Sequence, residues 1–142
     1  QVVRLAPIVQ AMETALWTTQ LLLAAIYFAT GLTKLTQARA QLAAGPMGWA
    51  ADVTDVQFRT VGLLEVLGAL GLVLPGALGV APLLTPLAAV GLALTMIGAI
   101  VTHVRMGETD RLAVPIVLLA LTLFLAIERF GELRSPIVTR PA

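Results

Sequence analysis

Four apolar stretches make up most of this chain, at residues 15–35, 58–74, 83–103 and 112–129. Each is close to the ~20 residues a helix needs to cross a hydrocarbon core of ~30 Å. Lipid offers no water to unpaired backbone groups, so isolated spans of this kind are helices. The expected fold is an all-α membrane protein, an antiparallel four-transmembrane-helix bundle in which residues 1–142 form a single domain. Charged residues are 12% of the chain and apolar residues 58%. A soluble domain carries about 25% charged residues. A small soluble chain with half that share could not cover its surface with charge, whereas a bilayer removes the need.

The connections differ in character. Pro75-Gly76 is expected to stop the second span, with residues 76–79, bracketed by Pro75 and Pro82, turning the chain into the third as a hairpin. Pro86 and Pro115 fall in the first turns of spans three and four, where a missing N–H costs little. The third connection, residues 104–111, is short and polar. The first, residues 36–57, is long, and long loops usually carry function or lie along a surface. It is expected at headgroup level with Trp49 as its anchor, and Trp17 is expected to anchor the opposite interface. The chain opens on Gln1 rather than Met, so a residue or leading segment is expected before it. Ala38-Arg39-Ala40 faintly resembles a signal cleavage site. The apolar stretch before it is too long for that, since a signal h-region has roughly 7–15 residues.

Several chemistries are excluded. Without cysteine there are no disulfides, thiol redox reactions, iron–sulfur ligation or thiolate-bound zinc. The one histidine, His103, cannot make a bis-histidine haem within a single chain. No metal-ligand spacing, phosphate loop or nucleophile elbow occurs, so no cofactor is expected to be held covalently or by metal ligands, and no catalytic motif is evident. No basic run is interleaved with aromatics, which sets nucleic acid aside as a partner. The expected partners are the lipid bilayer and other membrane or membrane-associated subunits. A redox centre, if one is involved, belongs to such a partner or to a diffusible lipid-soluble carrier.

The informative residues are the polar ones inside the spans. Glu65 lies roughly 10 Å inside span two, at 1.5 Å per residue. A charge at that depth costs at least ~2.5 kcal/mol, so it should face the bundle and find a partner. Gly62, Glu65 and Ala69 share one face of the span, and small residues beside a carboxylate suit close helix packing. On span one Gln20, Ala24, Tyr27, Gly31 and Lys34 recur at steps of three and four, which makes a single stripe. That stripe is expected to face inward, with Lys34 as the first partner of Glu65 and His103 or Arg105 as the next. Met96, Ala99 and His103 share a face of span three. Lys34, Arg59, Glu65, His103 and Arg105 therefore form a candidate polar cluster at the loop-one end, with loop one over it. Gln20, Glu128 and Arg129 stand at the other end.

Plainer readings stand beside this one. Long basic side chains at helix ends snorkel to water, which would account for Lys34, Arg59, Arg105 and Arg129. His103 could be interfacial, Tyr27 a packing residue, and Glu65–Lys34 a pair that only fixes register. Arg4, Arg129, Arg134 and Arg140 share the side of the termini, against Lys34, Arg39, Arg59, Arg105 and Arg111 on the other. The positive-inside rule does not separate these sets. With Lys34 and Arg59 held inside the bundle, the count favours cytoplasmic termini.

WTTQLLLAAIYFATGLTKL, RTVGLLEVLGALGLVLPG, PLAAVGLALTMIGAIVTHVRMGE and the closing Glu128-Arg129 follow one another in an order that resembles the DoxX family of small bacterial membrane proteins. The specific parts are Gly31…Lys34, Glu65-x-x-Gly68 with its Leu-Pro-Gly stop, and His103 after an Ala/Met/Gly-rich helix. The resemblance covers residues 17–129. It implies a four-helix bundle in the bacterial inner (cytoplasmic) membrane, linked to quinone-coupled oxidation of sulfur compounds and to membrane oxidoreductase complexes. It supplies no established catalytic set. Three functions stay open: an accessory or anchoring subunit of a quinone-linked oxidoreductase complex, a purely structural subunit of a larger membrane complex, and a proton or small-solute pathway formed by a homo-oligomer. What co-purifies in mild detergent separates them.

Overall fold

A computed structural model describes residues 2–134; Arg140, counted above with the charges of the termini, lies outside them. The described chain folds into α1 (Val2–Thr36), a short α2 (Arg39–Ala43), α3 (Asp55–Leu78), α4 (Leu84–Arg105) and α5 (Ala113–Arg134). All but α2 are long and apolar enough to cross a membrane. They form an antiparallel bundle in which α1 packs on α3, α3 on α4 and α4 on α5, while α5 returns to α1 more loosely. Leucines such as Leu22, Leu64, Leu67 and Leu94 are exposed on its outer face. In water that surface would be a liability; in a bilayer it is the solvent contact the spans require.

The closest approach is between α1 and α3. A Cβ added at Gly31 would stand 2.6 Å from the Gly62 carbonyl oxygen, and one at Gly62 would stand 2.9 Å from that of Gly31. Between helices in lipid there is little hydrophobic drive, so small residues that let backbones touch supply the attraction through dispersion. The same contact lays Lys34 against Gly62 and Glu65 against Gly31, so the two side chains reach each other across it.

Three boundaries differ from the sequence expectation, among them the end of α5, which runs to Arg134 rather than 129. α1 begins at Val2, well before residue 15. Glu13 limits an apolar window but does not interrupt a helix. α3 runs through Pro75 to Leu78 rather than stopping at Pro75-Gly76. Pro75 lies in the last turn and is buried, so the helix carries the missing N–H for only a few residues more. The stop is Gly79, at φ 65°, a conformation that costs a residue without Cβ little. Val80 N–H donates to Pro75 O and Gly79 N–H to Gly76 O, the Schellman arrangement for satisfying terminal carbonyls. At its other end α3 is closed by a capping box: Thr54 Oγ1 accepts from Gln57 N–H at 3.2 Å, and Gln57 Oε1 accepts from Thr54 N–H at 2.9 Å. Such reciprocal caps satisfy two otherwise orphaned donors.

Loop one is structured. It holds α2 and a 3-10 turn, Gly48–Asp52, around a small core of its own in which Leu42, Ala50 and Phe58 are buried. Arg39 fastens it, donating from Nε to Asp55 at 2.6 Å and from Nη1 to Ala50 O at 2.7 Å. Arg111, from the third connection, donates to Pro46 O at 3.1 Å. The two connections at this end are therefore tied together.

Candidate intramembrane site

At the loop-one end, Lys34 Nζ donates to Glu65 Oε2 at 2.7 Å, and both side chains are almost wholly buried. Thr30 Oγ1 donates to the same oxygen at 3.3 Å. Lys34 also points toward the Thr30 carbonyl at 3.5 Å. Among the described residues the carboxylate is thus partnered by α1 alone, through a lysine and a threonine one turn apart. One turn deeper, the hydroxyls of Tyr27 and Thr122 lie 3.3 Å apart, joining α1 to α5.

Tyr27, Thr30, Lys34 and Glu65 border a cavity of about 640 Å³ that all four long helices and loop one enclose. Its polar lining comes from Tyr27, Thr30, Lys34, Gln57, Glu65, Thr95, Thr102 and His103, and the rest of the wall is mainly apolar. Trp49 of loop one also lines it. The ring is half-buried and packed on Phe58, with centroids 5.4 Å apart. Leu64 on α3 and Gly91, Leu94 and Gly98 on α4 also border the cavity, and all four are exposed. The cavity therefore opens on the outer face of the bundle between these two helices. A Cβ at Gly91 or Gly98 would meet nothing within 4 Å, so α4 presents bare backbone along that opening.

His103 also lines the cavity, but it pairs elsewhere: Nδ1 lies 2.8 Å from Glu108 Oε2. Arg59 and Arg105 do not join the expected cluster, because both are exposed. Arg59 caps α1, donating to the Leu35 carbonyl at its C-terminal end. Arg105 is in the last turn of α4, where a long side chain reaches water. Of the five residues expected together, the structure brings Lys34, Glu65 and His103 to one cavity and leaves Arg59 and Arg105 outside it. With Arg59 outside, the condition that favoured cytoplasmic termini is only half met.

The stripe on α1 does face inward: Gln20, Tyr27, Gly31 and Lys34 are all buried. Its other end makes a second polar centre. Arg129 Nε donates to Gln20 Oε1 at 3.0 Å, and Nη1 reaches Glu13 at 3.2 Å and Glu132 at 2.8 Å. Gln20 in turn donates to the Leu72 carbonyl. The guanidinium lies 5.5 Å from the centre of the Trp17 ring, a cation–π distance. Nη2 of Arg129 is buried without a partner among the described residues. Glu128 has no hydrogen bond among them; Glu13 and Glu132 occupy the place expected for it.

Between the two polar centres lies an apolar layer. Leu23, Ala69, Leu92 and Leu125, one from each long helix, are buried together there. The layer spans from Tyr27 to Gln20, about 10 Å along α1.

The profile of the DoxX-like family matches residues 18–125. The chain belongs to the DoxX-like family. The matched region takes in Gln20, Lys34, Glu65 and His103, and with them every wall of the larger cavity of this DoxX-like bundle. Glu13, Arg129 and Glu132 fall outside it. No curated protein and no solved structure matches the chain.

Proposed function

We propose that this integral membrane protein is an accessory subunit of a quinone-linked oxidoreductase complex in a bacterial cytoplasmic membrane, and that it receives a lipid-soluble quinone in the loop-one cavity. The observation that carries the reading is the cavity itself. Ligand pockets run to roughly 300–1,000 Å³, with mostly apolar walls and a few convergent polar groups. At about 640 Å³, with an ammonium, a carboxylate, an imidazole and hydroxyls near one end, this one has that form. Its opening between α3 and α4 faces the phase in which such a molecule dissolves. An isoprenoid tail would lie along Gly91 and Gly98 while the ring oxygens meet the polar end. In this reading electron transfer falls to a redox centre in a partner subunit.

The test uses Trp49 as reporter. In Trp17→Phe protein reconstituted in lipid nanodiscs, a short-tailed benzoquinone should quench Trp49 in a saturable manner. Trp49→Phe protein, which keeps Trp17, should show only linear quenching set by partition into lipid. Equal, linear quenching in both variants would refute the quinone site. Isolation in mild detergent should bring down a soluble redox subunit in fixed stoichiometry; a homo-oligomer alone would refute the accessory role.

A further inference from the structure

His103 sits where the end of α4 controls its chemistry. Gly107 follows the helix at φ 71°. Its N–H donates to Val104 O at 3.1 Å, and Glu108 N–H donates to His103 O at 2.9 Å. This is a Schellman stop, in which the second residue beyond the helix lies over the residue three from its end, usually in apolar contact. Here those two positions are Glu108 and His103, and a side-chain hydrogen bond of 2.8 Å replaces the apolar contact. Loop one closes over the carboxylate: a Cβ at Gly48 would stand 3.2 Å from Glu108 Oε1. The turn that ends the helix thus also sets the imidazole.

The consequence is a choice of tautomer. An ionised carboxylate only accepts hydrogen bonds, so the nitrogen facing it carries the ring proton. In the neutral ring the other nitrogen is then an acceptor, a pattern by which a carboxylate orients histidine for a ligand. Nε2 has no protein partner among the described residues, and the ring lines the cavity. Lys34 offers the opposite chemistry in the same cavity. Its ammonium has three donors, of which one is engaged by Glu65 at 2.7 Å and one more weakly by the Thr30 carbonyl at 3.5 Å.

We propose that His103, positioned by Glu108, offers Nε2 as a hydrogen-bond acceptor to a ring hydroxyl, so that the cavity prefers a hydroquinone to the corresponding quinone. The hydroquinone O–H donates to Nε2, whereas a quinone carbonyl finds no donor there. The other ring oxygen, hydroxyl or carbonyl, can accept from Lys34, so that side does not separate the two by donor and acceptor sense. The preference therefore comes from the histidine side alone. No bond is broken in this recognition. The inference rests on the quinone reading of the cavity.

A chain with one histidine gives a direct test. With histidine-selective 15N labelling in nanodiscs, a short-tailed hydroquinone under argon should move the unprotonated ring nitrogen of His103 and leave Nδ1–H nearly unchanged. The matching quinone should move neither. In competition for Trp49 quenching, the hydroquinone should bind about tenfold more tightly than the quinone, the size of one net hydrogen bond. Glu108→Gln keeps the histidine but frees its tautomer, and should reduce that ratio toward one while quenching stays saturable. Equal affinities in the unsubstituted protein, or a ratio untouched by Glu108→Gln, would overturn the proposal and leave the quinone site standing. Loss of all saturable quenching in the unsubstituted protein would overturn both.

Discussion

Replacing Glu65 by Gln strikes the bundle at its most buried charge pair. The Lys34 and Glu65 side chains are 6% and 5% exposed, and their contact is 2.7 Å. Removing one member of such a pair costs about 3–5 kcal/mol, because the survivor stays desolvated with nothing to offset it. Two features soften the loss here. Gln can still accept one hydrogen bond from Lys34, and the adjoining cavity gives the ammonium some relief. The lower end, about 3 kcal/mol, is therefore expected for Glu65→Gln. Glu65→Gln combined with Lys34→Met leaves no charge and puts an apolar chain where the lysine stem ran, so the expected loss falls to about 1 kcal/mol. The double variant should thus be the more stable of the two. Titration with SDS from mild detergent, followed by helical circular dichroism, measures both, and Lys34→Met completes the cycle. A double variant less stable than Glu65→Gln, or single losses that simply add, would refute the coupling.

Gly31→Ala should cost about 2–3 kcal/mol in the same titration by forcing α1 off the Gly62 carbonyl, whereas Gly98→Ala, where a Cβ meets nothing within 4 Å, should stay within about 0.5 kcal/mol. Arg129→Met should cost about 1–2 kcal/mol, less than at a fully buried pair because Glu13 and Glu132 keep contact with water, and adding Glu132→Gln should recover part of the loss. Thr54→Ala removes the capping box and should lower stability by about 1 kcal/mol, with faster hydrogen exchange confined to the first turn of α3.

The spans and the inward stripe of α1 were legible because the bilayer penalises polar atoms so heavily that their spacing must match a protein-facing side. The same penalty made Lys34 the natural partner of Glu65. What escaped notice lies where that penalty fades. Glu13 continues the stripe two turns before Gln20, and Glu132 follows Arg129 by one turn, but both fall beyond the apolar windows that delimited the spans. Thr122 carried a signal, as a lone hydroxyl in an otherwise apolar run of α5. The Glu108–His103 pair was written in the spacing His103…Gly107-Glu108, which becomes meaningful only once a glycine stop is placed at residue 107. Arg59 and Arg105 were misassigned because level along a helix was used without direction around it. Sequence gives the level of a side chain, but only packing shows whether it reaches inward or to water.

The apolar layer formed by Leu23, Ala69, Leu92 and Leu125 makes the middle of the bundle an electrical insulator. A unit charge crossing the whole membrane potential changes energy by about 2.3 kcal/mol per 100 mV, and a layer without polar groups is where most of that potential drops. The cavity at the loop-one end and the arginine centre at the other end lie on opposite sides of it. A proton bound in the cavity would meet this layer on the way to the arginine centre, so binding there would move little charge through the field. Chemistry at this site would be electrically silent, and any coupling to the membrane potential would have to come from another subunit.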